Sequence, residues 1–401
     1  MVQKMSEVHY PCAAAASFGL ESIVRGELDA LGISGARAED RRVLFDATAR
    51  EIALCNISLR TADRVLIRLA DFPAVDFDAL YEGVHSVPWK ELLAPDPRVT
   101  VEARSVKSRL TATPSLQSVA KKAIVDAMTG VRRGPGARAE VAGPPTDRVP
   151  RARMAETGPR YDVELVLRND RASLMLDTTG PGLHKRGYRA EGGEAPLREN
   201  LAAALVILSR WGPARPFADP LCGSGTIALE AALIAANIAP GLGRTFAAEA
   251  WHLFPAAQWD AAREQARAAE RRDAQVRIEG SDRDPRVVAA AERNARAAGV
   301  ADLVSFHVAP LQSFRSTGDY GCIVCNPPYG ERLGTEEEAQ GLYRELGGLF
   351  RTLPTWSLFA LSASGDFERH FGARSSRNRK LYNGNIRCWL YQYFSPPPAR
   401  G

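Results

Sequence analysis

From residue 196 onward, strand-like and helix-like segments alternate. That pattern confines a chain to a largely parallel sheet with helices on both faces. Strands are expected at 215–219, 275–281, 304–308, 322–325 and 357–362. Between them come helices at 226–236, apolar nearly all round and therefore buried, at 259–272, amphipathic and exposed, and at 285–298 and 339–352. The run closes on strands 379–382 and 386–394, joined through Asn383-Gly384, a strong hairpin signal that makes the last strands antiparallel. In sheets of this kind ligands bind beyond the carboxyl ends of the strands, so the residues there carry the functional reading.

The first half has a different rhythm. Strands are expected at 10–15, 41–46, 64–70 and 98–104, and helices at 20–31, 49–59, 77–84 and 115–128. Residues 131–160 lose all periodicity among Gly134-Pro135-Gly136, Gly143-Pro144-Pro145 and many arginines, and read as a long, partly mobile loop. A hairpin over 161–167 and 172–177 turns at Asn169-Asp170, and a Gly-rich connector follows at 180–194. With 401 residues, two or three domains are expected. The N-terminus lacks a basic start followed by an apolar run, and no apolar stretch reaches the ~20 residues of a membrane helix. Six scattered cysteines suggest no disulfide framework, so a reducing, cytoplasmic setting is expected. Cys322 and Cys325 form a lone CxxC on a strand, where residues three apart face opposite ways, and no second pair completes a zinc site. No metal is expected.

Two pieces describe an adenosine-type site. Asp219-Pro-Leu-Cys222-Gly223-Ser-Gly225-Thr226 follows a strand and opens a helix. Its glycines permit a sharp turn and close approach of a ligand. No Lys-Ser/Thr follows, so it is not a Walker loop, and Ala228 stands where the dinucleotide fingerprint has its third glycine. Taken alone it is also compatible with a plain strand–helix turn. The second piece is Asp282 at the end of the next strand, placed to accept both hydroxyls of a ribose. The bland role for an acid there is helix capping, which Asp284 before Pro285 suits better.

Asn326-Pro327-Pro328-Tyr329 follows the strand at 322–325. An exocyclic amine on a planar base is a poor nucleophile because its lone pair is delocalised into the ring. The Asn326 side-chain oxygen and the Pro327 carbonyl can accept hydrogen bonds from that NH2, pull the nitrogen toward tetrahedral geometry and aim its lone pair at the methyl of S-adenosylmethionine. Consecutive prolines hold both acceptors ready, and Tyr329 offers a face for an extracted base. A Pro-rich turn or a Pro-Pro-Tyr docking motif is the plain alternative. The order of the three pieces favours methyl transfer to a base amine.

At this point the chain resembles the THUMP-domain class I methyltransferases, and among them the stand-alone bacterial 23S rRNA guanine-N2 methyltransferases. Arg60-Thr-Ala-Asp-Arg-Val65, Val106-Lys-Ser-Arg-Leu110 with Lys121-Lys122-Ala123, Leu183-His-Lys-Arg-Gly-Tyr-Arg189, Asp219–Thr226, Asn326–Gly334 and Lys380-Leu-Tyr-Asn-Gly384 carry the resemblance. It implies an α/β chain with a ferredoxin-like domain at 1–60 and a THUMP RNA-binding domain at 61–180. A connector at 181–195 would lead to a seven-stranded Rossmann-like methyltransferase domain at 196–401. It further implies that Asp219, Cys222, Gly223, Gly225, Thr226, Asp282, Leu311 and Asn326 contact S-adenosylmethionine, and that Asn326 to Tyr329 hold the base. The family usually has an acid where Pro310 stands, so only the backbone NH of Leu311 is left to meet the adenine. Transfer to a tRNA guanine, transfer to adenine N6, and a non-catalytic RNA-binding protein are the alternatives. Oligomeric state stays open.

The net charge of +5 permits a nucleic-acid partner without requiring one. Three basic clusters are expected to track RNA phosphates, rRNA first among them. They are Arg104, Lys107, Arg109, Lys121 and Lys122; then His184, Lys185, Arg186 and Arg189; then Arg374, Arg377, Arg379 and Lys380.

Overall fold

The computed structural model describes residues 8–130, 154–189, 197–316, 318–328 and 336–396. Most of the irregular stretch at 131–160, the end of the connector at 180–194, and Tyr329 with Gly330–Gly334 lie outside the described residues.

The first half builds one sheet from β1 (His9–Ala16), β2 (Arg37–Glu39), β3 (Arg42–Thr48), β4 (Ala62–Pro73), β5 (Arg98–Val106), β6 (Arg160–Arg168) and β7 (Arg171–Asp177). The strand order is β2-β3-β1-β4-β7-β6-β5, with only β5 and β6 parallel. Helices α1 (Glu21–Ala30), α2 (Ala49–Ser58), α3 (Phe77–His85), α4 (Trp89–Leu92) and α5 (Thr113–Thr129) cover it. The strand β4 pairs with β1 on one side and β7 on the other. The two units expected ahead of the connector therefore share one continuous sheet. Thr48 opens α2 with a capping box, its side chain accepting from Glu51 N while Glu51 reaches back to Thr48 N.

The second sheet contains β8 (Phe217–Asp219), β9 (Ile278–Asp282), β10 (Ser305–Val308), β11 (Cys322–Cys325), β12 (Ser357–Ser362), β13 (Arg377–Asn383) and β14 (Ile386–Tyr393). Its order is β10-β9-β8-β11-β12-β14-β13. The first five run parallel, and β14 lies antiparallel to both β12 and β13. Helices α6 (Glu199–Leu208), α7 (Thr226–Ala235), α8 (Ala256–Ala268), α9 (Pro285–Ala298), α10 (Glu336–Arg351) and α11 (Phe367–Phe371) flank it. This is the doubly wound, seven-stranded sheet that the alternation called for. Among the described residues no helix is long and apolar enough to cross a membrane.

One expectation is overturned. The helix placed at 259–272 starts and ends earlier, and it is not simply a surface helix. Trp259, Ala262 and Ala266 are buried in the same apolar core as Val65, Ile67 and Leu176 of the first sheet. Its neighbours join them: Trp251 stacks on Tyr161 at 4.7 Å and donates its indole N–H to Arg160 O at 2.9 Å. Phe254 stacks on Tyr10 at 5.9 Å. A segment of the second half thus completes the core of the first.

Candidate active site

The parallel order β10-β9-β8-β11 brings the carboxyl ends of these strands side by side. Asp219 ends β8 and is buried, accepting from Leu221 N at 3.2 Å. Burial, reinforced by the neighbouring Asp282, pushes its carboxyl up to about 8. Asp282, at the end of β9, accepts from Gly223 N at 3.0 Å and from Asp284 N at 3.1 Å. Cys222 N donates to Ser281 O at 2.9 Å, and Asn294 of α9 donates to Ser224 O at 3.0 Å. The Gly-rich turn and the acid after the next strand are therefore one hydrogen-bonded unit. Asp284 caps α9 by accepting from Arg286 N at 2.9 Å, with Pro285 first in the helix.

The two glycines have different reasons. Gly223 sits at φ +51°, and a Cβ there would point into open space. Room for a ligand fits that position. Gly225 sits at φ +84°, but a Cβ would meet Phe306 at 2.8 Å and Ala291 at 2.9 Å. The left-handed backbone and the packing within the protein both require glycine there. Cys222 is buried and its thiol is pushed up by desolvation, so it contributes shape rather than a thiolate.

A cavity of about 200 Å³ opens along these strand ends, lined by Ala218, Asp219, Ser281, His307, Ala309 and Phe314 among others. Pro310 follows Ala309, and its carbonyl accepts from Ser313 N at 3.0 Å and from Ser313 Oγ at 2.8 Å. That closes the short turn carrying Leu311, which is buried.

Asn326 leaves the end of β11 with its Oδ1 buried and no hydrogen-bond partner among the described residues. A buried acceptor without a donor costs about 1–3 kcal/mol, a cost that a bound N–H donor would remove. Pro327 is buried, and Pro328 O lies 3.5 Å from the hydroxyl of Tyr343 on α10, which also meets Ser362 Oγ at 3.2 Å. Tyr343 and Ser362 went unnoticed in the sequence. Nothing local marks Tyr343 within the helix expected at 339–352.

The basic clusters separate into two kinds. Arg104, Lys107 and Arg109 are exposed near the end of β5, Arg104 lying 3.6 Å from Glu164 and Arg109 3.7 Å from Asp170. Lys121 pairs with Glu156 at 2.9 Å beside the half-buried Lys122. Lys185, Arg374, Arg377 and Lys380 are exposed, and His184 and Arg379 half-buried. Arg186 and Arg189 are corrections. Arg186 is 2% exposed and faces Glu230, itself 0% exposed, at 3.3 Å. It also donates to Leu183 O at 2.7 Å and to Arg60 O. Arg189 donates to Thr226 Oγ1 at 2.6 Å and lies 3.5 Å from Glu199. These two charges are consumed inside the protein, anchoring the connector to α6 and α7. Counting basic residues along the chain could not reveal that their acidic partners lie in later helices.

The RMKL-like methyltransferase domain model matches residues 186–392, the RlmL ferredoxin-like domain model residues 12–66, and the THUMP domain model residues 74–134. YpsC of Bacillus subtilis (strain 168), a candidate RNA methyltransferase by name, is 40% identical over 96% of each chain. A ribosomal RNA large subunit methyltransferase K/L of Aliivibrio fischeri (strain MJ11) is 35% identical over 95% of this chain. Only 53% of that relative is covered, so the chain spans about half its length. The crystal structure of SMU.472, a candidate methyltransferase complexed with SAH, superposes with a TM-score of 0.87. Its sequence is 41% identical, with 98% of this chain and 100% of that chain covered. With the Gly-rich turn, Asp282 and Asn326 gathered at one edge of a seven-stranded sheet, the chain belongs to the RMKL-like methyltransferase family.

Proposed function

We propose that this chain is an S-adenosylmethionine-dependent RNA methyltransferase that modifies the N2 amine of a guanine, with large-subunit rRNA as its substrate. The carrying observation is the buried Oδ1 of Asn326 at the carboxyl end of β11, without a hydrogen-bond partner among the described residues. The cofactor residues fit the group: Gly223 opens onto free space, and Asp219 and Asp282 stand beside it. When bound, S-adenosylmethionine supplies an electrophilic methyl. Asp219 would meet the methionine end, Asp282 the ribose, and the Leu311 backbone the adenine, with Cys222, Gly223, Gly225 and Thr226 forming the turn around it.

Asn326 Oδ1 and Pro327 O accept from the two hydrogens of the base amine and hold its lone pair out of conjugation. Tyr343 braces the Pro328 carbonyl from behind. No strong general base is required, because the nitrogen becomes acidic as it is methylated. RNA is favoured by the THUMP match and by the names of the relatives. Guanine is favoured by resemblance to the guanine-N2 enzymes. Transfer of labelled methyl into total RNA from a strain lacking the gene, followed by nucleoside analysis, tests the reading. N2-methylguanosine in the large-subunit rRNA is expected. N6-methyladenosine, or label confined to tRNA, would overturn the corresponding part, and Asn326→Ala should abolish transfer without lowering stability.

A further inference from the structure

The terminal hairpin carries an aromatic and cationic surface that the chemistry above does not use. Phe18, on the loop between β1 and α1, is 43% exposed and meets Tyr382 edge-on, with ring centroids 6.0 Å apart. Lys380 Nζ stands 5.7 Å from the Phe18 ring and 5.5 Å from the Tyr382 ring. On the adjoining strand the Arg387 guanidinium lies 4.8 Å over Trp389. Register places these groups together: Lys380 is opposite Trp389, and Tyr382 opposite Arg387. Directly opposed residues share a face, whereas the intervening Leu381 and Cys388 point into the core.

The same register fixes which end of the sheet this is. Trp389 lies opposite Ser362 at the carboxyl end of β12, and Ala360 lies opposite Cys325, the residue before Asn326. The surface therefore belongs to the edge that holds Asn326. Its charge is lightly compensated, Glu21 acting on Arg379 without a direct ion pair. Arg374, Arg377, Arg379, Lys380 and Arg387 form no ion pair with any described residue, unlike Arg109, Lys121, Arg160 and Arg171. The nearby carboxylates point their oxygens at neutral donors rather than at these cations. Glu21 accepts from the N–H groups of Gly19 and Arg41, and Glu368 from Ser375. The exposed Phe18 and half-buried Tyr382, among cations that form no ion pair with a described residue, match a single strand, whose bases offer flat faces and whose backbone offers charge.

We propose that Phe18 and Tyr382, with Lys380 and Arg387, form a base-stacking platform for single-stranded RNA flanking the target nucleotide. The proposal rests on the RNA reading above. The test uses the full chain, an end-labelled oligouridylate, an abasic oligomer of the same length, and S-adenosylhomocysteine as a separate ligand. Phe18→Ala should weaken oligouridylate binding roughly five- to hundredfold and leave both abasic-oligomer and S-adenosylhomocysteine binding unchanged. Phe18→Tyr should restore it. Lys380→Gln should reduce the salt slope by about 0.7. Equal oligouridylate affinity for the wild type and Phe18→Ala, or equal wild-type affinity for the abasic oligomer, overturns the platform alone. A wild type that binds S-adenosylhomocysteine but no RNA overturns the RNA reading and the platform with it.

Discussion

Replacing Arg186 with methionine separates two accounts of the connector. If Arg186 is a phosphate ligand, the change weakens RNA binding and spares stability. In the structure it does the reverse. The side chain is 2% exposed and neutralises Glu230; among the described residues the Glu230 Oε1 is otherwise bonded only to the Tyr188 hydroxyl, at 3.1 Å, and Oε2 has no partner. Removing one partner of a buried pair costs about 3–5 kcal/mol, because the remaining charge cannot be solvated. The carbonyls of Leu183 and Arg60 lose a donor as well. At ~2–4 °C per kcal/mol for a cooperative unit of this size, the midpoint should fall by roughly 6–20 °C. Denaturant unfolding followed by tryptophan fluorescence reads the loss. Arg186→Met with Glu230→Met should recover most of it, since an apolar pair of similar volume is about as stable as the ion pair. Lys185→Glu, on the exposed neighbour, should stay within about 0.5 kcal/mol of the wild type. If Arg186→Met unfolds like the wild type and instead lowers the salt slope of RNA binding, the buried geometry is refuted.

Other consequences are equally direct. Gly225→Ala forces a side chain into Phe306 and Ala291 and should lower the unfolding midpoint sharply. Gly223→Ala meets open space, so it should cost only the ~1–3 kcal/mol of a left-handed backbone while weakening S-adenosylhomocysteine binding in a calorimetric titration. Burial raises Asp219 from 3.8 to about 8 in the fold. The ligand-free protein therefore carries a destabilising contribution that is absent below about 4, grows as pH rises and is complete above about 8. Asp219→Asn should flatten that slope in pH-dependent unfolding. With the cofactor's ammonium at this carboxylate, as proposed, S-adenosylhomocysteine affinity should climb as pH rises toward about 8, with proton release measurable in buffers of different ionisation heat. Tyr343→Phe removes the hydroxyl beside Pro328 and Ser362 and should cost about 0.5–1.5 kcal/mol of stability. It should lower kcat more than the KM for RNA, and an unchanged kcat would refute the bracing role.

Much of this was legible before any coordinates, for local reasons. Asp284-Pro285 opened α9, and Asn383-Gly384 closed the hairpin, because such dipeptides specify their own backbone. Asp219, Asp282 and Asn326 stood at strand ends, which alternation alone could find. The rest depended on distant partners. The helix α6 was not expected: it follows directly on the Gly-rich connector, and its run from Leu201 to Leu208 is apolar throughout. Trp259 looked like one large residue on a surface helix until its neighbours from the first sheet were in place. Arg186 and Arg189 looked like free charges because Glu230 and Glu199 lie elsewhere in the chain. Phe18 and Lys380 are some 360 residues apart and meet only in three dimensions.

The aromatic run Phe246, Trp251, Phe254 and Trp259, sunk into the core of the first sheet, has a further consequence. Two bodies joined by a tether can search; two bodies that share an interior cannot. The distance from the first sheet to Asn326 is then a dimension of the protein, like the opening of a caliper. An RNA docked on the first sheet would be measured against that opening before any base is tested. Sites on RNA would be chosen first by the spacing of their features and only second by the identity of the nucleotide, so lengthening the stem between a docking element and the target should silence methylation even where the target's own sequence is untouched.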